Sequence, residues 1–558
     1  MSVGHTGTVP RSRPATSSHG RAVLRGRADN LRAVRSLGAV VGRTTVVRVL
    51  SAVLVMVSLA AWAVGSPVGS SPDEDFHLTS IWCGQGVRDG LCEEGGSPVS
   101  REVPAALHEA RCYAFHPEES AACQGSSITD PDGRMLDTER GNFLGDYPPV
   151  FFSVMSVLVG DSIEGSVIAM RLLNAMIFVL FVAGAFVLAT PALRRGLVLG
   201  VAVTFVPLGT FIVPSVNPSS WALTSAATVF VTCLVHLTAN GRRRQLLSAG
   251  LLALAVGLGA GARGDAALYA GLSIGAALLV TLRADRRWVV RAVYPAVLAC
   301  LSGIAFLTVG QSSAVEGTGA QVFSLGRVLR TVADVPALWA GALGSWGLGW
   351  LDTGMPALVW TVMFGLFMTV LVSGIRGIAR PQGLAVAGAA LAALLVPAYI
   401  QYLTGVPVGA YVQPRYVLPL MILLVLTVVC RVDGRAPTIS TGQRWLAVGG
   451  MSAAHALALY SNIRRYVYGT DVESINLGVA SEWWWSGGVP GPMVVWLLGS
   501  SAFAAGLVLL SRELVVQEVS VTPTAPTLRG DTAPAAPGVE VASTPGASDR
   551  SSGPESLR

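Results

Sequence analysis

The chain has 558 residues, 52% hydrophobic and only 13% charged, a composition that excludes an ordinary soluble protein of this length. Its net charge is +6 and every basic residue is arginine. Those arginines concentrate in the tails and short loops, so they read as membrane topology and exclude a nucleic-acid groove.

Residues 1–45 form an arginine-dense tail, expected to be disordered and cytoplasmic. The first apolar segment, Val49–Gly65, lacks a small-residue cleavage site and begins too far in for a signal peptide, so it reads as a retained anchor. By the positive-inside rule the acidic cluster Pro72-Asp73-Glu74-Asp75-Phe76-His77 then emerges at the outer face. Carboxylates at a membrane boundary cost free energy unless solvated, paired or used, which makes the cluster a candidate site. The plainer reading is an acidic loop that keeps positive charge inside.

Residues 66–147 form a first outer loop, long enough for a small helical subdomain, with Cys83, Cys92, Cys112 and Cys123. Four cysteines on the oxidising side suggest two disulfides among three connectivities; short loops favour Cys83–Cys92 and Cys112–Cys123. Zinc is the alternative, but a paired Cys-x-x-Cys knuckle is missing. Cys233, Cys300 and Cys430 lie singly within spans.

Eleven further spans follow, near Ser166–Ala189, Leu197–Val213, Trp221–Leu237, Leu246–Gly261, Ala266–Leu282, Val289–Val309, Ala357–Ile375, Leu384–Leu403, Tyr416–Val429, Trp445–Ser461 and Met493–Leu510. They place every arginine-rich turn on the inner side, including Arg194-Arg195 and Arg242-Arg243-Arg244. The glycines around Arg263-Gly264-Asp265 make 246–282 either a short hairpin or a broken helix lining a cavity. A second outer loop, 311–352, ends in Ser345-Trp346-Gly347-Leu348-Gly349-Trp350; these tryptophans, like Trp483-Trp484-Trp485, suit an interfacial belt or a lipid-carrier groove. The membrane domain is thus 46–512, followed by a disordered cytoplasmic tail, 513–558.

Arg171, Asn217, Arg263, Asp265 and Arg415-Tyr416 share the level of Asp73 and Glu74 under this topology. Guanidinium groups and carboxylates on one level suggest an anionic, lipid-linked substrate, since arginine binds phosphate through a planar fork. Snorkelling of Arg171 and Arg415 to headgroups explains each one singly.

The long first outer loop, Asp73-Glu74 with His77, Tyr147-Pro148-Pro149-Val150-Phe151-Phe152, Arg171-Leu172, Pro214-Ser215-Val216-Asn217, Ser345-Trp346 to Gly349-Trp350, and Arg415-Tyr416 with Pro419 resemble the GT-C superfamily of membrane glycosyltransferases. Within it the chain is most similar to a large actinobacterial family of polytopic proteins of unknown function. Pro218 stands where that family usually has an acid, and Pro414 where it has glycine. The resemblance implies an all-α polytopic protein, a GT-C-like bundle of about 12 transmembrane helices with a disulfide-bearing first extracytoplasmic loop.

It also implies a glycosyltransferase moving a sugar from a polyprenyl-phosphate donor to a cell-envelope glycan acceptor at the outer face of the cell membrane, with both termini cytoplasmic. Asp73 is then the base, with Glu74 orienting the acceptor or sharing the role. Asp75 falls outside the pair and is expected to face solvent. His77, Tyr147, Arg171, Asn217, Arg263, Arg415 and Tyr416 form the substrate-binding set, with Arg415 and Arg263 or Arg171 on the departing phosphate. No cofactor is assigned; a divalent cation near Asp73 and Glu74 is left open, with no full ligand set in view. The rival readings are a flippase for a lipid-linked sugar and a non-catalytic assembly partner, neither of which needs a base.

Overall fold

In a bilayer every backbone N–H and C=O must find its partner within the protein, so each long apolar segment is obliged to be helical. The computed structural model describes residues 2–8, 44–128, 133–309, 324–405, 408–409, 412–434, 439–472 and 474–514. Most of the two tails, and 311–323 of the second loop, lie outside the described residues.

The first span is α1, Thr44–Val64. The loop after it carries α2 (Glu74–Trp82), β1 (Glu93–Glu94), β2 (Arg101–Pro104), α3 (Ala106–Glu109) and β3 (Met135–Thr138), and ends in α4 (Val150–Met155). The bundle resumes with α5 (Ile163–Leu188), α6 (Pro191–Phe205), α7 (Leu208–Ile212), α8 (Ser219–Thr238), α9 (Arg242–Ala260), α10 (Gly264–Val280) and α11 (Arg286–Thr308). After a second loop with α12 (Leu325–Asp334) and α13 (Pro336–Ala340) come α14 (Ala357–Gly374), α15 (Arg380–Thr404), α16 (Pro414–Val429), α17 (Thr441–Tyr468) and α18 (Pro492–Leu510).

Among the described residues 7 helices, not twelve, are long and apolar enough to cross a membrane: α1, α5, α8, α11, α14, α15 and the α18 segment. The other five expected spans are helical but fall short for identifiable reasons. The third expected span breaks into α6 and α7 at Pro207, which cannot continue a helix. α10 and α16 are apolar but only 17 and 16 residues long. α9 opens on three arginines, and α17 carries Arg444, His455, Arg464 and Arg465, so both are too polar.

α8 is the axis of the bundle, buried along nearly its whole length, whereas α11 turns most of its surface outward. The hydroxyls of Thr224, Thr228 and Thr232 bond back to the carbonyls one turn earlier, which lets these polar side chains lie in an apolar core. Small residues let neighbours close in; a Cβ on Gly259 of α9 would stand 2.6 Å from Ser225 Oγ of α8.

The arginine-rich turns have a structural task beyond topology. Arg194 donates to Phe186 O and Val187 O and Arg244 to Leu188 O at the end of α5. Arg291 reaches Leu237 O on α8, and Arg431 reaches Gly374, Arg376 and Gly377 carbonyls past α14. Cations thus satisfy the orphan carbonyls and negative dipole ends of helix C-termini.

The first loop is a mixed subdomain, correcting the helical expectation. β1, β2 and β3 form an antiparallel sheet with β2 in the middle. The two favoured disulfides are present, Cys83–Cys92 and Cys112–Cys123. Arg465 of α17 clamps the subdomain to the bundle, donating to Tyr113 O, His116 O and Glu119 O and pairing with Asp352 at 3.1 Å. Trp350 is tucked in as well, bonded to Gly69 O at 2.9 Å beneath the Arg111 guanidinium, so this tryptophan is a packing residue and not part of a belt.

Candidate functional site

Successive residues on a helix point about 100° apart, so Glu74 and Asp75, the first two residues of α2, face different ways, and Asp73 precedes them at the N-cap in a left-handed conformation. They fan out. Glu74 turns into the bundle, fully buried against Arg171 of α5 at 3.0 Å, and also accepts from Ser71 N–H. The Arg171 Nη groups also donate to Ala63 O, Ser66 O, Pro67 O and Ser70 Oγ. This pair fastens the turn after α1 to α5, so neither Glu74 nor Arg171 is presented to a ligand.

Asp75 turns the other way and is fully buried, against the expectation that it faces solvent. Its oxygens meet Arg140 at 2.5 and 2.9 Å and Arg111 at 3.2 Å. Neither arginine was singled out from the sequence. The available signal was the acidic triplet itself, whose burial requires cations, with few arginines in the same loop to supply them.

Asp73 is left at the opening, its side chain 39% exposed. It sits at the N-cap of α2 with φ 59 and ψ 22, a left-handed conformation in which aspartate is among the few tolerated side chains. An N-cap aspartate ordinarily accepts from the first turn; this one makes no capping bond. Its carboxylate instead meets Arg415 Nη2 at 2.6 Å and Arg140 Nη2 at 3.3 Å. Burial alone would raise its pKa, but the Arg415 and Arg140 charges outweigh burial and hold the carboxyl below the ordinary 3.8. Asn217 fixes the turn from behind, donating to Pro72 O at 2.8 Å and accepting from Ser219 N–H. It positions Asp73 and does not face a ligand.

Arg415 enters at the first turn of α16. Its Nη groups reach Asp73, Tyr416 Oη at 2.7 Å and the Gln413 side chain, while its buried Nε has no partner. Arg263 lies between α9 and α10 in extended backbone and grips Asp265 through two bonds of 2.8 and 2.9 Å. The Tyr416 ring is shared by both cations, 4.6 Å from Arg263 and 4.7 Å from Arg415, and Tyr147 flanks Arg263 at 5.6 Å. The break between α9 and α10 thus delivers a charged pair to the site. Gly261 makes the close approach of the Tyr147 segment possible; a Cβ there would stand 2.8 Å from Val150 Cβ.

His77 packs its ring among Phe76, Tyr147 and Phe152, and its Nδ1 has no partner. The cluster therefore unites Asp73, His77, Tyr147, Arg263, Arg415 and Tyr416 of the expected set and adds Arg140, with Asp75 and Arg111 behind it. Four guanidinium groups, at 111, 140, 263 and 415, face three carboxylates, at 73, 75 and 265. The surplus positive charge suits an anion. For a metal the arrangement is poor: the three α2 carboxylates diverge, and among the described residues no three His, Cys, Asp or Glu side chains group as ligands.

Residues 34–424 match the model of a family described as a predicted membrane protein, DUF2142. The chain belongs to that family. No curated protein and no solved structure matches it. Every side chain of the cluster lies inside the DUF2142 match, which runs from the N-terminal tail into α16.

Acid should act on this DUF2142 site first through His77. Burial pushes His77 down from 6.5 to about 3. Between those values the unfolded chain binds the extra proton, so stability is complete above 6.5 and falls as pH drops through the window. The expected slope is up to about 1.4 kcal/mol per pH unit. His77→Phe, which keeps the ring packing, should flatten that part of an unfolding-midpoint series in detergent. An unchanged slope would remove His77 as its source.

Proposed function

We propose that the protein is a membrane glycosyltransferase that moves a sugar from a polyprenyl-phosphate donor to a cell-envelope glycan acceptor at the outer membrane face. The observation that carries this reading is the Asp73–Arg415 contact: an N-cap carboxylate diverted from capping, held by a cation with a spare buried N–H. In the resting pair the Arg415 and Arg140 charges hold Asp73 below its ordinary basicity. Donor phosphate taking Arg415 Nε–H and the Arg263 side draws the positive charge toward itself, and Asp73 regains ordinary basicity.

The acceptor hydroxyl then gives its proton to Asp73 as its oxygen bonds to the anomeric carbon. The bond from that carbon to the phosphate oxygen breaks, its electron pair leaving on the polyprenyl phosphate beside Arg415. Glu74 has a holding role in this scheme, through Arg171.

The test is the purified wild type in nanodiscs with a panel of polyprenyl-phosphate sugars and envelope glycan acceptors, read as labelled sugar transferred. Transfer from at least one donor is expected. If no donor binds or reacts, the flippase or assembly-partner reading replaces this one.

Placing the site outside follows from the arginine-rich turns at the opposite helix ends. With the disulfides kept and Cys233, Cys300 and Cys430 replaced, Leu144→Cys should react with a membrane-impermeant maleimide in intact cells. Arg243→Cys should react only after permeabilisation. The reverse pattern would invert the site to the cytoplasmic face.

A further inference from the structure

The end of the bundle opposite Asp73 gathers arginines more closely than topology or helix capping demands. α5 runs from its Arg171–Glu74 pair to that far end, where Arg48 of α1, Arg194 and Arg195 of α6, and Arg244 of α9 surround its last turn. The guanidinium carbons of Arg48 and Arg194 lie 5.5 and 5.3 Å from the centre of one Phe186 ring. Arg244 donates to Leu188 O. Arg48 and Arg195 meet at Glu513, just past α18: Arg48 donates to its carboxylate at 3.0 Å and Arg195 to its backbone carbonyl at 3.0 Å.

Like charges brought to one place repel unless an anion separates them. Arg194 feels the charges of both Arg48 and Arg244, and Glu513 is the carboxylate that opposes them. Among the described residues Glu513 is also the only carboxylate in ion-pair contact with any of the four arginines. A surplus of positive charge is left. The cations keep donors in hand as well. Their bonds leave Arg48 Nη1, Arg194 Nη1 and both Nη groups of Arg195 and Arg244 open among the described residues. Open guanidinium forks suit phosphate oxygens, whereas a neutral ligand would leave the surplus charge standing.

The surroundings separate a lipid from a free phosphate. All four arginines are half-buried. Beside them Val49 and Leu50 on α1, Val187 on α5, and Leu246 and Leu247 on α9 are apolar and exposed. A soluble anion covers none of these, but a phospholipid sets its phosphate among the guanidinium groups and its acyl chains along the apolar side chains. The cationic amine of a zwitterionic headgroup would add to the surplus charge. We infer that this end of the bundle binds the headgroup of a phospholipid with net negative charge. The inference stands apart from the transferase reading, since it concerns the opposite end of the molecule and needs no turnover.

Native mass spectrometry of the full chain, released from detergent and titrated with lipid, reads the binding directly. Phosphatidylglycerol should bind about tenfold more tightly than phosphatidylcholine with the same chains, and millimolar inorganic phosphate should not displace it. Arg48→Gln combined with Arg195→Gln should weaken phosphatidylglycerol about tenfold and leave phosphatidylcholine unchanged. That pair is chosen because Arg194 and Arg244, which hold the α5 carbonyls, stay in place. Because the double variant can still disturb the fold, phosphatidylglycerol with a diazirine in its headgroup is photolysed on the wild type. Label should fall on peptides covering residues 186–195 or 242–247. Equal binding of the two lipids, a double variant that binds phosphatidylglycerol like wild type, or label confined elsewhere would each overturn the inference. Displacement by inorganic phosphate would overturn it too, leaving a site for free anions.

Discussion

On the proposed transferase reading, Asp73→Asn is expected to lower sugar transfer by about two to four orders of magnitude while leaving the fold and donor binding intact. The fold should tolerate the change because asparagine shares aspartate's size and its tolerance of the left-handed conformation at φ 59. Its amide oxygen can still accept from Arg415, so the site keeps its shape and loses only the group that takes the proton. Arg415→Ala makes the informative contrast. On the same reading it removes charge-assisted bonds to the donor phosphate before and during reaction, so donor binding and turnover should fall together. A well-folded Asp73→Asn protein that transfers at the wild-type rate would show that Asp73 is not the base.

The second large effect is expected from the buried pair behind the site. Arg171→Met leaves Glu74 charged and fully buried with one Ser71 N–H for company, and should cost about 3–5 kcal/mol of stability. The freed Ala63, Ser66 and Pro67 carbonyls add to the loss. Adding Glu74→Gln to the same protein removes the stranded charge and should recover part of it. Denaturation midpoints in detergent, with monodispersity as the check on aggregation, measure both. An unaltered midpoint in Arg171→Met would mean that the pair does not hold the loop to the bundle.

Much of the architecture was legible because apolar length and helix are bound together in a membrane. Each of the twelve apolar segments proved helical, even where Pro207 or the arginines of α9 and α17 kept it from qualifying as a span. The local disulfides were legible too, from the short loops they close. The site was legible only in its local part. Asp73, Arg263 and Arg415 announce themselves as charges beside apolar runs. Arg140 lies 67 residues from Asp73, in a polar loop where one more arginine carries no signal. Glu74 gave no local sign of its partner: it is adjacent to Asp73, but Asp73 is the left-handed N-cap and Glu74 the first helical residue, and Arg171 sits 97 residues on. The sheet within the first loop escaped because strands of two to four residues leave almost no periodicity to read.

The Glu74–Arg171 pair also bears on how the chain is made. Glu74 is synthesised first, and its partner appears 97 positions later, beyond the cysteines of both disulfides, on the second long apolar helix. α5 must therefore enter the bilayer carrying a guanidinium group with no counterion in place, tolerable only while it stretches toward the headgroups. That charge is sheltered once the turn at 63–74 comes down on it, so oxidation and docking of the first loop are the step that commits the outer end of the bundle. A chain whose loop cysteines pair wrongly would be left with an arginine facing lipid.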